Sequence, residues 1–517
     1  MKFIMKRILT LLALLLSTVA IQAQDPNILW QRTIGGENQD IEYFIISTTD
    51  GGFLTGGTSK SMISGEKTED SFGEEDFWIL KFNAEGEIEW QRTLGGDQAD
   101  TAFNARQTYD GGFLIVGGSY SGISGNKTEP SRGDRDYWII KLDADGNTLW
   151  QKTYGGDSND LGKDIEILDN GHYLVLGYSY SGISGDRTIP NNSNGDCWLL
   201  VINDNGELIS QRSHPIYGAE SASHIRNTSN GGYAISASSN MEDYILSNYN
   251  ENGNFLWEKN FGGDGWDFAT NFIVTADNGF IIIGFSDSNI SGNKTEDSRG
   301  ATDYWILKLN SMGEIQWQKT FGGNEIDAPY TIIETPDYGY LLVGYSASEI
   351  SGDKTVGLVE PTDYWFLKLN SVGIIEWQKD IGGDGADARP RATLINDGSL
   401  VISGISNSNI SGDKTENSRG GSDFWIVKYN IILDIVENPL LSATTLYPNP
   451  AKNTLQLNTQ DKTIDQINIY TMTGSKVLQL DVDTVSPTVD VSSLATGVYY
   501  VQLYSGKNVA LKKFVKE

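Results

Sequence analysis

Cysteine is almost absent: Cys197 is the only one in 517 residues, which excludes a disulfide framework and a thiolate metal site. Histidine is nearly as scarce. His172, His214 and His224 stand apart, without the spacing of a metal centre or a nucleophile triad. Proline is held to 12 residues, and the 58 glycines show no period of three, so collagen-like and disordered chains are excluded. Beyond residue 23 no apolar run approaches the ~18 residues of a membrane span. Cations are outnumbered as well, 38 Lys and Arg against 68 Asp and Glu, for a net charge of −30. Lys2, Lys6 and Arg7 make the start basic, and seven lysines balance six acids from Thr445 onward, so the acidity lies between the ends. Such a field repels nucleic acid and anionic membranes while tolerating cations and neutral polar ligands.

What is present begins with a leader. Residues 1–23 have a basic start, an apolar run from Ile8 to Ala20 broken only by Thr10, Ser17 and Thr18, and small Ala23 before Gln24. This pattern is a secretory signal peptide cleaved after Ala23. The mature chain is expected to be soluble, with no transmembrane segment.

Tryptophan spacing then exposes a long repeat. Trp30, Trp90 and Trp150, then Trp257, Trp317 and Trp377 recur, with Ser210 in the fourth register. Trp78, Trp138, Trp198, Ile245, Trp305, Trp365 and Trp425 form a second series, each two residues after an aspartate. The period is 60 residues except for one unit of 47. A period this long without helical patterning marks β-propeller blades. One unit reads as four strands, Ile41 to Thr49, Phe53 to Ser59, Phe77 to Phe82 and Ile88 to Thr93, joined by turns such as Asp50-Gly51-Gly52.

The first strand after the leader, Ile28 to Ile34, is a fourth strand, whereas the last repeat stops after a third, Phe424 to Tyr429. Joining the two predicts a seven-bladed ring over residues 27–430, closed without a free edge. The strand tryptophans are expected to pack between blades, and Cys197, where other units carry Tyr or Phe, to be a small buried hydrophobe.

Long polar loops share one face of this ring, which makes that face the functional candidate. One loop is Gly35-Gly36-Glu37-Asn38-Gln39-Asp40 and its copies. Its aspartates, Asp40, Asp100, Asp160, Asp267, Asp327 and Asp387, are a candidate ring at the channel mouth, suited to a cation or to sugar hydroxyls. The alternative is that each accepts backbone N–H groups inside its own turn. The second loop, Ile63-Ser64-Gly65-Glu66-Lys67-Thr68 and its copies, lacks the glycine spacing and following helix of a phosphate loop. The fourth unit lacks it, and offers Gly218-Ala219-Glu220 in the first loop, so a notch is expected there as an entry for ligands or partners. Asp143-Ala144-Asp145-Gly146-Asn147 has its glycine too early for a calcium loop and reads as a hairpin turn. The acids Glu74-Glu75-Asp76 and Asp134-Arg135-Asp136 read as solvated loop ends rather than glycosidase pairs.

A linker is expected over residues 431–444. Short alternating strands follow it, among them Leu455-Gln456-Leu457, Ile467-Asn468-Ile469-Tyr470 and Val498 to Leu503, and predict a small β-sandwich. Leu446-Tyr447-Pro448-Asn449-Pro450-Ala451, Ile469-Tyr470 with Gly474, Leu494-Ala495-Thr496-Gly497-Val498-Tyr499, and Lys512-Lys513-Phe514 stand there in order. Together these blocks resemble the C-terminal sorting domain of the type IX (Por) secretion system. The resemblance implies passage through both membranes, the type IX machinery as partner, and either surface attachment or release.

The repeats, with their Trp-Gln-Lys-Thr and Asp-Tyr-Trp signatures, also resemble exported propellers of Bacteroidetes-type bacteria, some labelled endoglucanase, and more distantly quinoprotein propellers. No cofactor-binding constellation is visible, and none is expected. The all-β, seven-bladed propeller with its sandwich is thus read as a monomeric binding scaffold for a polysaccharide or surface protein. The alternative is a glycoside-active enzyme with acids near the fourth-unit notch. No catalytic residue is assigned.

Overall fold

The computed structural model describes residues 27–168, 170–191, 195–214, 224–239, 243–359, 361–431, 444–460, 462–471, 476–505 and 508–517. The expected leader with Ala23, the loop at Gly218 to Glu220, Gly474 and nearly all of the expected linker lie outside them. Among the described residues every regular element is a strand.

Residues 27–430 form seven four-stranded antiparallel sheets. Sheet one is built from Asp40–Ser47, Phe53–Ser59, Asp76–Phe82 and Ile88–Leu94, in that order. Sheets two to six repeat it, their first strands being Asp100–Gln107, Asp160–Ile167, His224–Asn227, Asp267–Val274 and Asp327–Glu334. Sheet seven takes Asp387–Leu394, Leu400–Ser406 and Asp423–Asn430 from the last repeat, and Asn27–Ile34 from the start of the described chain. In that pairing Ile34 lies opposite Phe424 and Asn27 opposite Asn430, so the last third strand has no open edge.

The third strand of each unit is buried on both faces, and in every unit but the fourth, where Ile245 stands, its tryptophan packs against a ring from a neighbouring sheet. Phe77 meets Trp138 with centroids 4.8 Å apart, Tyr137 meets Trp198 at 5.1 Å, and Tyr304 meets Trp365 at 4.9 Å. Phe424 of sheet seven meets Trp78 of sheet one at 5.3 Å in the same manner. Trp78, Trp138, Trp198, Trp305, Trp365 and Trp425 are all buried. Their indole N–H groups donate to fourth-strand glutamines, as Trp78 does to Gln91 at 3.0 Å, so a large apolar ring enters the core without an orphaned donor. Cys197 is buried beside Leu199, Ile225 and Ile235, and burial pushes its thiol well up.

The second tryptophan series has a different task. Trp90 donates to the Ala144 carbonyl and Trp150 to that of Asp204, in the last hairpin turn of the following sheet. The turn glycine lies under the indole, and a Cβ on Gly146 would stand 2.7 Å from the Trp90 ring. Trp30 covers Gly86 in the same way. Asp143 to Asn147 is such a hairpin turn, with the Asp143 Oδ1 accepting from Asp145 and Asn147.

Residues 445–517 form two further sheets. One holds Thr445–Tyr447, Thr454–Asn458 and Thr488–Asp490, and the other Lys476–Val485, Thr463–Thr471, Gly497–Ser505 and Asn508–Lys516. Leu455, Leu457 and Val489 of the first join Ile467, Ile469, Val501 and Phe514 of the second in one core.

Candidate functional site

The six repeated aspartates are fully buried. Asp40 Oδ2 accepts the Gly36 N–H at 2.7 Å and the Ser61 hydroxyl at 3.1 Å. Asp100 does the same with Gly96 and Ser121, and Asp160 with Gly156 and Ser181. Asp267, Asp327 and Asp387 follow suit. The same serine hydroxyl accepts a loop N–H, as Ser61 does from Asn38 at 3.0 Å. One side chain thereby ties the Gly-Gly loop to the Ile-Ser-Gly loop. A second serine, Ser59 beside Asp40 and Ser119 beside Asp100, stands next to the carboxyl and lowers the cost of its burial.

A second aspartate stands beside each of these in most sheet junctions. Asp100 begins a first strand where Glu75 bridges Ala99, next to Asp76. Burial, then the Asp100 carboxylate, pushes Asp76 up to about 7. Burial and Asp160 push Asp136 up to about 6, and burial and Asp327 do the same for Asp303. Asp76 and Asp136 are therefore not solvated loop ends. The Gly-Gly step lets the chain pass close over them, since a Cβ on Gly95 would stand 1.8 Å from the Asp76 Oδ1. The loop lysines are buried too. Lys67 donates to the Thr93 hydroxyl at 2.7 Å, and Lys354 pairs with Asp380 at 2.6 Å, which leaves no cradle for a phosphate.

These motifs repeat because they tie the two loops together in each sheet that carries them. The first strands behave differently. Each described one except that of sheet four carries a register shift three or four residues after its aspartate. A bulge re-aims the side chain at that point. The residue three beyond the aspartate is Tyr43, Phe103, Lys163, Thr270, Tyr330 or Pro390. The next is Phe44, Asn104, Asp164, Asn271, Thr331 or Arg391. Repetition is lost here.

First strands of all seven sheets line one cavity of about 860 Å³. Among the described residues its wall carries Arg106, Lys163, Arg226 and Arg391 and no carboxylate. Tyr43, Phe103, Tyr178, Phe268 and Tyr330 supply aromatic surface. Asp164 lies behind the wall, fully buried, bound to Arg106 at 3.1 Å and Arg226 at 2.6 Å. Against the opposing effect of burial, those two guanidinium groups hold its carboxyl below the usual range. Burial pushes Glu42 up to about 8 although Arg391 lies 3.4 Å away. The Lys163 Nζ sits 3.7 Å from the Phe103 ring centroid. Burial, then Arg135 and Arg391, pushes it down to about 7. His224 is pushed down to about 3 by burial and is neutral at pH 7.

Sequence reasoning placed the candidate ligand groups in the repeated loops and missed this wall. Its signal was the internal misfit of the repeats. Aligned on their aspartates, the units lose identity in the strand that faces the cavity.

In the C-terminal unit, the Asn449 Oδ1 accepts the Val515 N–H at 2.8 Å, and Ala451 bonds the Val515 carbonyl. Tyr499 donates to the Ala495 carbonyl and stacks on Phe514. Tyr447 is half exposed. Blocks far apart in sequence thus meet at one end of the sandwich, with Gly497 opposite Lys516, and Tyr500 and Val501 opposite Lys513 and Lys512. Residues 445–517 match the family described as the secretion system C-terminal sorting domain. That segment is a type IX sorting domain. The sorting domain implies interaction with the type IX machinery and export to the medium or the cell surface. No helix among the described residues is long and apolar enough to cross a membrane.

Over 337 residues the chain is 23% identical to the regulatory protein FlaEY of Caulobacter vibrioides, covering 63% of this chain and 31% of that relative. The chain thus spans under a third of that protein. A protein of unknown function from Dyadobacter fermentans is 12% identical, covering 78% of this chain and 98% of that one, with a TM-score of 0.40. For the Pan2 WD40 domain of Neurospora crassa the values are 10%, 76%, 89% and 0.38.

Proposed function

We propose that the protein is an exported binding scaffold in which the seven sheets are blades of one closed propeller and the ligand enters the cavity lined by their first strands. Closure is supported by the contact of Phe424 with Trp78 and of Trp30 with Gly86, which repeat those between successive sheets. The observation that carries the function is the cavity wall, where the repeats diverge while the rest of each blade stays alike. Positions held by the fold repeat; positions free of it are available to a ligand. On this reading the six aspartates hold the loops together and take no part in binding.

A second reading, a protein partner on the loop face and apart from the cavity, rests on a separate feature. Ile63, Ile123, Ile183, Ile290, Ile350 and Ile410 are all exposed at equivalent loop tips and give that face six apolar points. The glycoside-active alternative rests on the fourth unit's notch, where residues 215–223 and 240–242 lie outside the described ones.

Full-length protein run through gels containing soluble polysaccharides, with reducing ends assayed in the same samples, tests the scaffold. Retention without new reducing ends is expected. New ends would make it an enzyme, and retention that survives Phe103→Ala would move the site out of the cavity.

A further inference from the structure

We infer that the cavity takes an anionic saccharide, its carboxylate or sulfate held between Lys163 and Arg391 and its ring face laid on Phe103 or Tyr330. This rests on the cavity being the ligand site. The charge distribution is the first argument: in a chain with a net charge of −30, the described residues of this one wall include four cations and no carboxylate. Focusing of field lines in a concave, low-dielectric site favours an anion there, against the repulsion of the outer surface.

Lys163 is the second argument. It forms no ion pair or hydrogen bond with any described residue, and only the rings of Phe103 and Tyr178 lie under its ammonium group. A half-buried cation without a counter-charge lowers stability. Nor does the bulge require it, because Tyr43, Phe103, Thr270 and Tyr330 occupy the same place in other sheets. Arg391 lies over Tyr330 at 5.5 Å, and the carboxyl nearest to it belongs to buried Glu42. Arg106 and Arg226 are already committed to Asp164. The cations left for a ligand, on first strands of sheets three and seven, are therefore Lys163 and Arg391, the latter's ion-pair partner among the described residues being Glu42, itself pushed up to about 8.

The ligand's body is read from the remaining wall. Tyr43, Phe103 and Tyr330 present aromatic rings, whereas the amides of Asn104 and Asn271 are spent on Asp164 and the Tyr330 carbonyl. Aromatic faces beside a few charged groups suit a sugar, whose C–H face stacks while its acid group sets orientation. A polynucleotide is disfavoured by the chain's net charge of −30.

Calorimetric titration of the full-length protein tests this with four probes: a galacturonate oligomer, a sulfated galactose oligomer, the neutral galactose oligomer of equal length, and a glutamate peptide. At least one acidic saccharide is expected to bind about tenfold or more tighter than the neutral one, a gap that narrows in high salt. The uronate and sulfate arms identify the head group. Lys163→Met and Arg391→Met should each weaken binding about tenfold, with Lys163→Arg retaining most of it. Equal binding of the neutral oligomer would overturn the anion assignment and leave the cavity as a sugar site. Tighter binding of the peptide would overturn the saccharide assignment. Binding by none of the four would overturn it as well, and retention of another polysaccharide in the gel assay would then show that the scaffold itself stands.

Discussion

Two parts of the same repeat have diverged to different extents. The loops and the inner strands keep their Asp, Ser, Lys, Gln and Trp in nearly every unit, and these residues bond or pack on one another across sheet junctions. The first strands keep only enough apolar residues for the core, while their cavity positions pass through Tyr, Phe, Lys, Thr and Arg. A residue that must satisfy a neighbour in the adjoining unit is constrained by the period. One that faces a shared cavity is free of the period, and each unit can contribute something different.

The largest test of this contrast is on the repeated side. Trp138→Ala removes a buried indole from the junction with Phe77 and should cost about 3–5 kcal/mol in urea unfolding. Asp100→Ala strips the acceptor from the Gly96 N–H and the Ser121 hydroxyl, for about 1–3 kcal/mol, with ligand affinity preserved in the folded fraction. Lost affinity at unchanged stability would place that aspartate on the ligand's side and dissolve the contrast.

Titration reads the same junctions. Asp76, Asp136 and Asp303 have native values raised to about 7, 6 and 6 from the ordinary carboxyl value of 3.8. Between those limits the native state binds more protons than the unfolded one, so their contribution is greatest at low pH and is lost as pH rises through the native values. Thermal scans should give a higher Tm at pH 5 than at pH 8. The trend should reverse below about pH 4, where Asp110 loses the interaction with Lys141 that holds it down at about 2. A Tm that rises from pH 5 to pH 8 would show the paired aspartates to be stably ionised.

The smallest effects belong to the cavity. Lys163→Met should raise Tm, by roughly 2 °C, because it removes a desolvated cation, and the same substitution should weaken anion binding. Stability gained where function is lost marks a residue kept for its ligand. A fall in Tm would return Lys163 to the fold.

The all-β class, the four-stranded unit and its register were legible because turn glycines, paired tryptophans and the 60-residue period are local signals. Phe53–Ser59 matches its expected bounds, and the other strands of that unit differ by one or two residues at an end. Start-to-end pairing was legible by counting strands, and Asn27–Ile34 does pair with Asp423–Asn430. The burial of Asp76 and Asp136 was not, since acids before a strand look solvated until another sheet is laid against them. Nor was the cavity, because Lys163 and Arg391 are 228 residues apart and have no shared motif.

The sequence by itself determined the repeat, the export address and which residues each unit must keep, since each of these is written within one period or one run of blocks. Tertiary structure alone decided which unrepeated side chains of the first strands meet in the shared cavity. Convergence of seven separate strands is a property of how the sheets pack, and no spacing along the chain encodes the distance between side chains that different units supply.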